Sequence, residues 1–388
     1  MPSDYLLSTP QMPDPYPYYR ELRDEDPAHY SATEDLYVLT RYEDCLAAFS
    51  DWQTWSSERR GNLLNDPPER IGKTLGTTDP PRHTLARKLV NKAFTPRRVS
   101  ELEPVLRTSA RELARGACEK GHLEFVQEIA APLNAQILGE LFGMSREEVL
   151  EMRPALDDFF TRQAASHGEE PPHVRAMATL RRFLDELTHD RRAKPGDDLV
   201  SAMIAAEEGG ARLEHEQVVV TTMTFLTAGF ESTNNLLTNM AGALGAVEGL
   251  FATLKKEPAK TAAFVEEAMR YDAAAQGFVR TPTRDLELHG RAIPAGSQVL
   301  VHIGSANRDE RQFERADEFL LERPVQRHLG LGHGAHFCVG APLGRAIGRI
   351  VWEELLPLAS SFEPDTASAQ RVVTPNFRGF LRLEVSTG

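Results

Sequence analysis

Residues 328–342 read HLGLGHGAHFCVGAP, and the role of Cys338 within them decides what kind of chain this is. A lone cysteine is most often a small buried hydrophobe, with the surrounding glycines merely forming a loop. His333, His336 and Cys338 could instead belong to a zinc site. That needs a fourth ligand or an open position, and Cys45 and Cys118 offer no closely spaced partner. Residues 330–335 also match the GxGxxA pattern of dinucleotide-binding turns, but RPVQRH makes a poor preceding strand and little chain follows.

A fourth reading uses the whole segment. Pro342 suits the first turn of a final helix, which puts Cys338 just ahead of a helix N-terminus. Backbone N–H groups and the helix dipole favour an anionic sulfur there, as a thiolate metal ligand requires. Gly332, Gly334 and Gly340 allow the backbone to approach a flat macrocycle, taking positive φ where needed. His336 stands two residues before the cysteine, where it can meet an anionic side group.

The stretch resembles the cysteine loop of the cytochromes P450, F-x-x-G-x-R/H-x-C-x-G. Gly334, His336, Cys338 and Gly340 match, while Leu331 stands where the family usually has Phe. The resemblance implies a mainly α fold with a small β region, the cytochrome P450 fold. It also implies one haem b (iron protoporphyrin IX) ligated by Cys338, and an enzyme that inserts one atom of O2 into a small organic substrate.

Other segments agree. AGFEST, residues 228–233, resembles the family's oxygen-activation pattern A/G-G-x-D/E-T, with Ser232 in place of the usual Thr and Thr233 after it. Phe225, Gly229 and Ser232 share a helix face, and the small residues Ala228 and Gly229 leave room beside the cofactor. Glu231 and the hydroxyls of Ser232 and Thr233 are suited to relaying protons during dioxygen reduction. Read alone, a Glu and a Ser in a helix more often mark a solvated face.

Glu267-Ala-Met-Arg270 matches the family's E-x-x-R, and Arg323 stands where its second arginine belongs. Alone, Glu267 and Arg270 would be an i, i+3 surface pair of little worth; the resemblance makes all three structural. His83 and Arg87, four residues apart on a helix, together with Arg280 and His336, are implied to hold the haem propionates.

Around these motifs the chain is ordinary: 388 residues, 41% hydrophobic and 26% charged, with three scattered cysteines. That fits a reducing compartment and the cytoplasm. No basic, apolar leader opens the sequence. The apolar run 218–247 carries Glu231, Asn234 and Asn235 at its centre, so it is expected to be a buried helix rather than a membrane span. A net charge of −13 argues against nucleic acid as a partner.

We expect one P450 domain over 1–388, helical from about 80 to 270, with a strand at YVLTRY and a long helix at about 214–246. Hairpins should follow residue 270. A helix capped by Asp79, with Pro80 in its first position, should run to about Phe94. It carries Arg82, Lys88 and Lys92, with Arg97 and Arg98 just beyond, and residues 80–100 hold no acid. This basic patch is either a solvated face or a dock for an acidic electron carrier. The resemblance implies a ferredoxin supplied by its reductase.

Residues 58–78 read as a lid. Phe159, Phe160, Met223, Phe225 and Phe278 are candidate pocket walls, though apolar residues on helices are more often core. Two alternatives to hydroxylation or epoxidation stay open: coupling, ring-closing or peroxide-using chemistry, and a non-catalytic haem binder.

Overall fold

A computed structural model describes residues 12–64, 66, 70–160 and 170–388. The long helix is His215–Ala246, begun by a capping box in which the Glu214 N–H donates to Gln217 Oε1 at 2.8 Å. Its polar centre is internal: Thr233, Asn234 and Asn235 are all buried. Among the described residues no single helix is long and apolar enough to cross a membrane. The long helix passes such a test only together with Leu250–Lys256, from which it is bent by 107°.

The chain divides into two compact units. The first comprises residues 1–85, 266–338 and 371–378. It is built on a five-stranded sheet in the order Ala28–Ser31, Leu36–Leu39, Gln298–His302, Gly277–Pro282, Trp55–Ser56. The outer hairpin pairs Ala28 with Leu39, and the central strand pairs Val299 with Arg280, both antiparallel. One pair is parallel, Gln298 against Leu36. Alternation along these strands sends Leu39, Val299 and Val301 into a core with Cys45, Phe49, Phe313 and Leu329.

The second unit comprises residues 86–265, 339–370 and 379–388. Here the long helix is accompanied by Pro96–Lys120, Ala131–Phe142, Pro172–Ala193 and Ala341–Leu355. Thr95 caps the first of these, accepting from the Arg98 N–H at 3.2 Å, and Gly121 ends it at φ +73°. Its Arg107 donates to Glu353 at 2.7 Å and Glu354 at 3.0 Å on Ala341–Leu355. Trp352 stacks on Phe125 with centroids 5.7 Å apart.

Two sequence expectations need correction. The helix before Thr95 runs Arg82–Ala93, so Pro80 does not start it. The carboxylate of Asp79 is spent elsewhere, accepting from the Ser57 N–H at 2.9 Å and from Ser56 Oγ, so it does not cap this helix. The proposed lid at 58–78 includes residues 65 and 67–69, which lie outside the described residues. Its described part holds a buried ion pair, Asp66 to Arg70 at 2.6 Å, and the buried Thr74 and Thr77.

Candidate active site

In the first unit the Cys338 loop is pinned from two sides. Gly334, at φ +67°, passes so close to the helix Tyr42–Ser50 that an added Cβ would lie 2.5 Å from the Phe49 carbonyl oxygen. Gly330 passes as close to the Met269 carbonyl, at 2.4 Å. Gly332 also takes positive φ, whereas Gly340 has φ −77° and serves as N-cap of Ala341–Leu355. Within the loop the Cys338 N–H donates to Leu331 O at 2.9 Å and the Phe337 N–H to Gly334 O at 3.1 Å. Cys338 is exposed and outside any disulfide, directly ahead of the helix.

Three basic side chains belong to the same unit. His83 is buried, with its ring centroid 4.5 Å from that of His336, whose Nε2 lies 3.3 Å from Ser57 Oγ. Arg280 is buried on the strand Gly277–Pro282. Its guanidinium donates to Val279 O at 2.8 Å and lies over the Phe49 ring at 5.1 Å. Among the described residues it has no carboxylate at ion-pair distance. Burial pushes its pKa down to about 10, with Asp79 opposing. A buried cation with no carboxylate at ion-pair distance calls for an anion. Arg87, half-buried, follows one turn after His83 on Arg82–Ala93.

Glu267, Arg270 and Arg323 meet. Arg270 Nη2 and Nε donate to the two carboxylate oxygens of Glu267 at 2.8 Å each, and Arg323 Nε lies 3.1 Å from both. Arg270 also donates to the Asn307 and Ala316 carbonyls at 2.9 and 2.8 Å. Asn307 carries the brace to the cysteine loop, its Oδ1 accepting from the Leu329 N–H at 2.7 Å. The sequence alone does not reveal this role of Asn307, because a single Asn carries no signal until its partners are known.

In the second unit, the middle of the long helix is buried except for one stripe of half-buried residues: Thr224, Phe225, Ala228, Gly229, Glu231 and Ser232. Glu231 Oε1 accepts from Asn235 Nδ2 at 2.9 Å. Burial raises the Glu231 pKa to about 7; the Asn235 bond opposes this and the Asp157 charge adds to it. Thr224 and Thr227 return their hydroxyls to the Val220 and Met223 carbonyls, four residues back. Among the described residues the Ser232 and Thr233 hydroxyls make no such bond, which leaves them available to water or ligand.

Of the candidate walls, Phe159, Phe160 and Met223 are buried, the first two packed edge to face at 4.9 Å, while Phe225 and Phe278 are partly buried. The zinc reading of the loop gains nothing. Among the described residues only Asp185, His189 and His215 bring three metal-type ligand atoms within 4.8 Å. That trio is a surface charge network: Asp185 lies 2.8 Å from His215 Nε2, and Arg192 Nε 3.4 Å from His215 Nδ1.

The five bases of the suspected patch are all ion-paired: Arg82 with Glu58, Lys88 and Lys92 with Glu208, Arg97 with Glu101, and Arg98 with Asp197. The absence of acids within 80–100 is thus answered by acids from other segments.

The family model for cytochrome P450 matches residues 260–384. A putative cytochrome P450 123 of Mycobacterium tuberculosis is 34% identical over 379 residues, which is 96% of this chain and 94% of that one. The chain belongs to the cytochrome P450 family. The P450 monooxygenase PikC of Streptomyces venezuelae is 32% identical, covering 96% of this chain and 91% of that one. The solved structure of CYP109Q5 from Chondromyces apiculatus superposes with a TM-score of 0.86 at 30% identity, covering 96% and 95% of the two chains.

The chain is therefore a haem b monooxygenase that uses O2, an organic substrate and a redox partner, and the non-catalytic alternative falls away. The residues present fit the cofactor. An exposed thiol ahead of a helix suits the iron, and a buried arginine without a counter-ion, together with the paired His83 and His336, suits the carboxylates of a porphyrin.

Proposed function

We propose that Cys338 is the thiolate ligand of the haem iron in an enzyme that hydroxylates or epoxidises a small organic molecule. His83, Arg87, Arg280 and His336 hold the propionates, and Ala228, Gly229 and Gly340 allow close approach of the backbone. Among the relatives, Cyclomarin C epoxidase CymV of Salinispora arenicola is 31% identical and the vitamin D(3) 25-hydroxylase of Pseudonocardia autotrophica 33%. Both kinds of oxygen insertion are thus the reactions to test. When bound, the haem supplies the iron at which O2 is reduced and from which one oxygen atom passes to the substrate.

The protein's own residues bind, orient and deliver protons. Glu231, with a pKa near neutrality, can hold a proton or give it up at working pH. The Ser232 and Thr233 hydroxyls, not committed to the helix backbone, extend its reach as donors and acceptors. Glu267, Arg270, Arg323 and Asn307 hold the cysteine loop and touch no substrate. An acid and alcohol in this arrangement support O2-driven rather than peroxide-driven chemistry.

Electrons come from a ferredoxin and its reductase, in the cytoplasm. Exposed ion pairs are worth little, so Arg82, Lys88, Lys92, Arg97 and Arg98 can exchange their own carboxylates for those of a partner.

The Cys338 loop carries this reading: it is pinned by Gly330 and Gly334 and presents an exposed thiol ahead of a helix. The test is the absorption spectrum of the reduced protein under carbon monoxide, in wild type and Cys338→Ala. A strongly red-shifted Soret band in the wild type alone is expected. An ordinary histidine-type spectrum in the wild type, or an unchanged band in the variant, removes Cys338 as the ligand.

A further inference from the structure

Asn134 lies on the helix Ala131–Phe142 and is buried. Its amide nitrogen faces three acceptors at one point of the long helix: Phe230 O at 2.9 Å, Gly229 O at 3.3 Å and Asn234 Oδ1 at 3.2 Å. A carbonyl inside a helix normally accepts only the N–H four residues on. A side chain from a neighbouring helix that donates to two successive carbonyls pulls on the ladder and fixes the rotation of that turn. The approach is close because residue 229 is glycine: an added Cβ would meet Leu138 Cδ2 at 3.3 Å, on the same helix as Asn134.

The two carbonyls belong to the residues immediately before Glu231 and Ser232. We infer that Asn134 is a positioning residue for the proton pathway, clamping the Gly229 and Phe230 carbonyls so that the Glu231 carboxyl and Ser232 hydroxyl are presented in a fixed direction. This rests on the reading of Glu231 and Ser232 as the relay. Asn134 itself touches no reacting atom. Burial is the main cause of Glu231's raised pKa, and the clamped turn is what holds the carboxyl in that setting.

The test uses haem-loaded protein, with folding checked by the reduced carbon monoxide spectrum. Asn134→Leu matches the amide in shape but cannot donate. Hydrogen exchange in peptides over 228–236 should quicken about five- to tenfold, the worth of a lost buried hydrogen bond. The infrared titration of the Glu231 carboxyl, assigned by its loss in Glu231→Gln, should move down from about 7 as the unclamped turn shifts and exposes the carboxyl.

Asn134→Asp separates the donor from the shape. Protonated, it offers one O–H to the Phe230 carbonyl; ionised, it offers only lone pairs. Its exchange rate relative to wild type should therefore climb with pH, while the ratio for Asn134→Leu stays flat. Exchange within twofold of wild type and an unmoved Glu231 titration in Asn134→Leu would overturn the inference. Glu231→Gln and Ser232→Ala leave Asn134 intact and test the relay by itself. If Asn134→Leu behaves as expected but those two variants leave peroxide release unchanged, it is the relay reading that fails.

Discussion

The imidazole rings of His83 and His336 lie with centroids 4.5 Å apart, joining the start of one helix to the turn just before Cys338. Arg280 belongs to the same unit, buried on a strand with no carboxylate at ion-pair distance among the described residues. Arg280→Ala should therefore weaken haem retention about ten- to a hundredfold, the worth of a charge-assisted hydrogen bond. The haem-to-protein absorbance ratio after transfer to apomyoglobin measures it. Retention equal to wild type would detach Arg280 from the propionates.

Glu267 and Arg270 are almost fully buried and bonded at two points. Glu267→Ala leaves two arginines, Arg270 and Arg323, without their carboxylate and should cost about 3–5 kcal/mol in urea unfolding. Arg323→Ala keeps the inner pair and should cost clearly less. Equal losses would show that the brace is not hierarchical.

Gly334→Ala combines a left-handed backbone, about 1–2 kcal/mol for a non-glycine residue, with a methyl 2.5 Å from the Phe49 carbonyl oxygen. Neither partner is a flexible side-chain tip, so the loop must move. The variant should fold but show a diminished red-shifted Soret band under carbon monoxide, whereas Gly344→Ala, with open space around it, should not.

Glu231 makes stability pH-dependent in a defined direction. Its folded pKa, about 7, is raised above the ordinary 4.5. Below pH 4.5 both folded and unfolded chains hold the proton. Between 4.5 and 7 the unfolded chain ionises first, so the group's contribution falls as pH rises and stays low above 7. Glu231→Gln removes this dependence and should gain up to about 3 kcal/mol on wild type between pH 4 and pH 8. Chemical unfolding of both proteins at those two pH values is the check.

Ser232→Ala should leave the Cys338-dependent spectrum unchanged while raising the share of electrons recovered as hydrogen peroxide about tenfold or more, within the usual worth of a proton-transfer group. Restoration by Ser232→Thr would tie the effect to the hydroxyl. No change in either variant would remove Ser232 from the relay.

Local chemistry was enough to read much of this molecule. The long helix, the hairpins after residue 270 and the i, i+3 placement of Glu267 and Arg270 follow from spacing along a few residues, whereas the roles of Cys338 and of that pair came from the resemblance to the family's motifs. The cap at Asp79 was misread because its carboxylate is claimed by Ser56 and Ser57, over twenty residues away in sequence. The bases of 80–100 looked unpaired only because the acids that answer them, Glu58, Glu208 and Asp197, come from other segments.

What tertiary structure alone decided is who partners whom. Arg280 is exceptional through its burial and want of a carboxylate, which its sequence neighbours do not reveal. Asn307 and Asn134 matter because an amide can satisfy backbone groups of distant segments, and one asparagine in a sequence looks like any other. Motif spacing points to the chemistry, since groups that act together on one turn or one loop keep a fixed distance along the chain. Positioning depends on contacts between elements, and those exist only once the chain is folded.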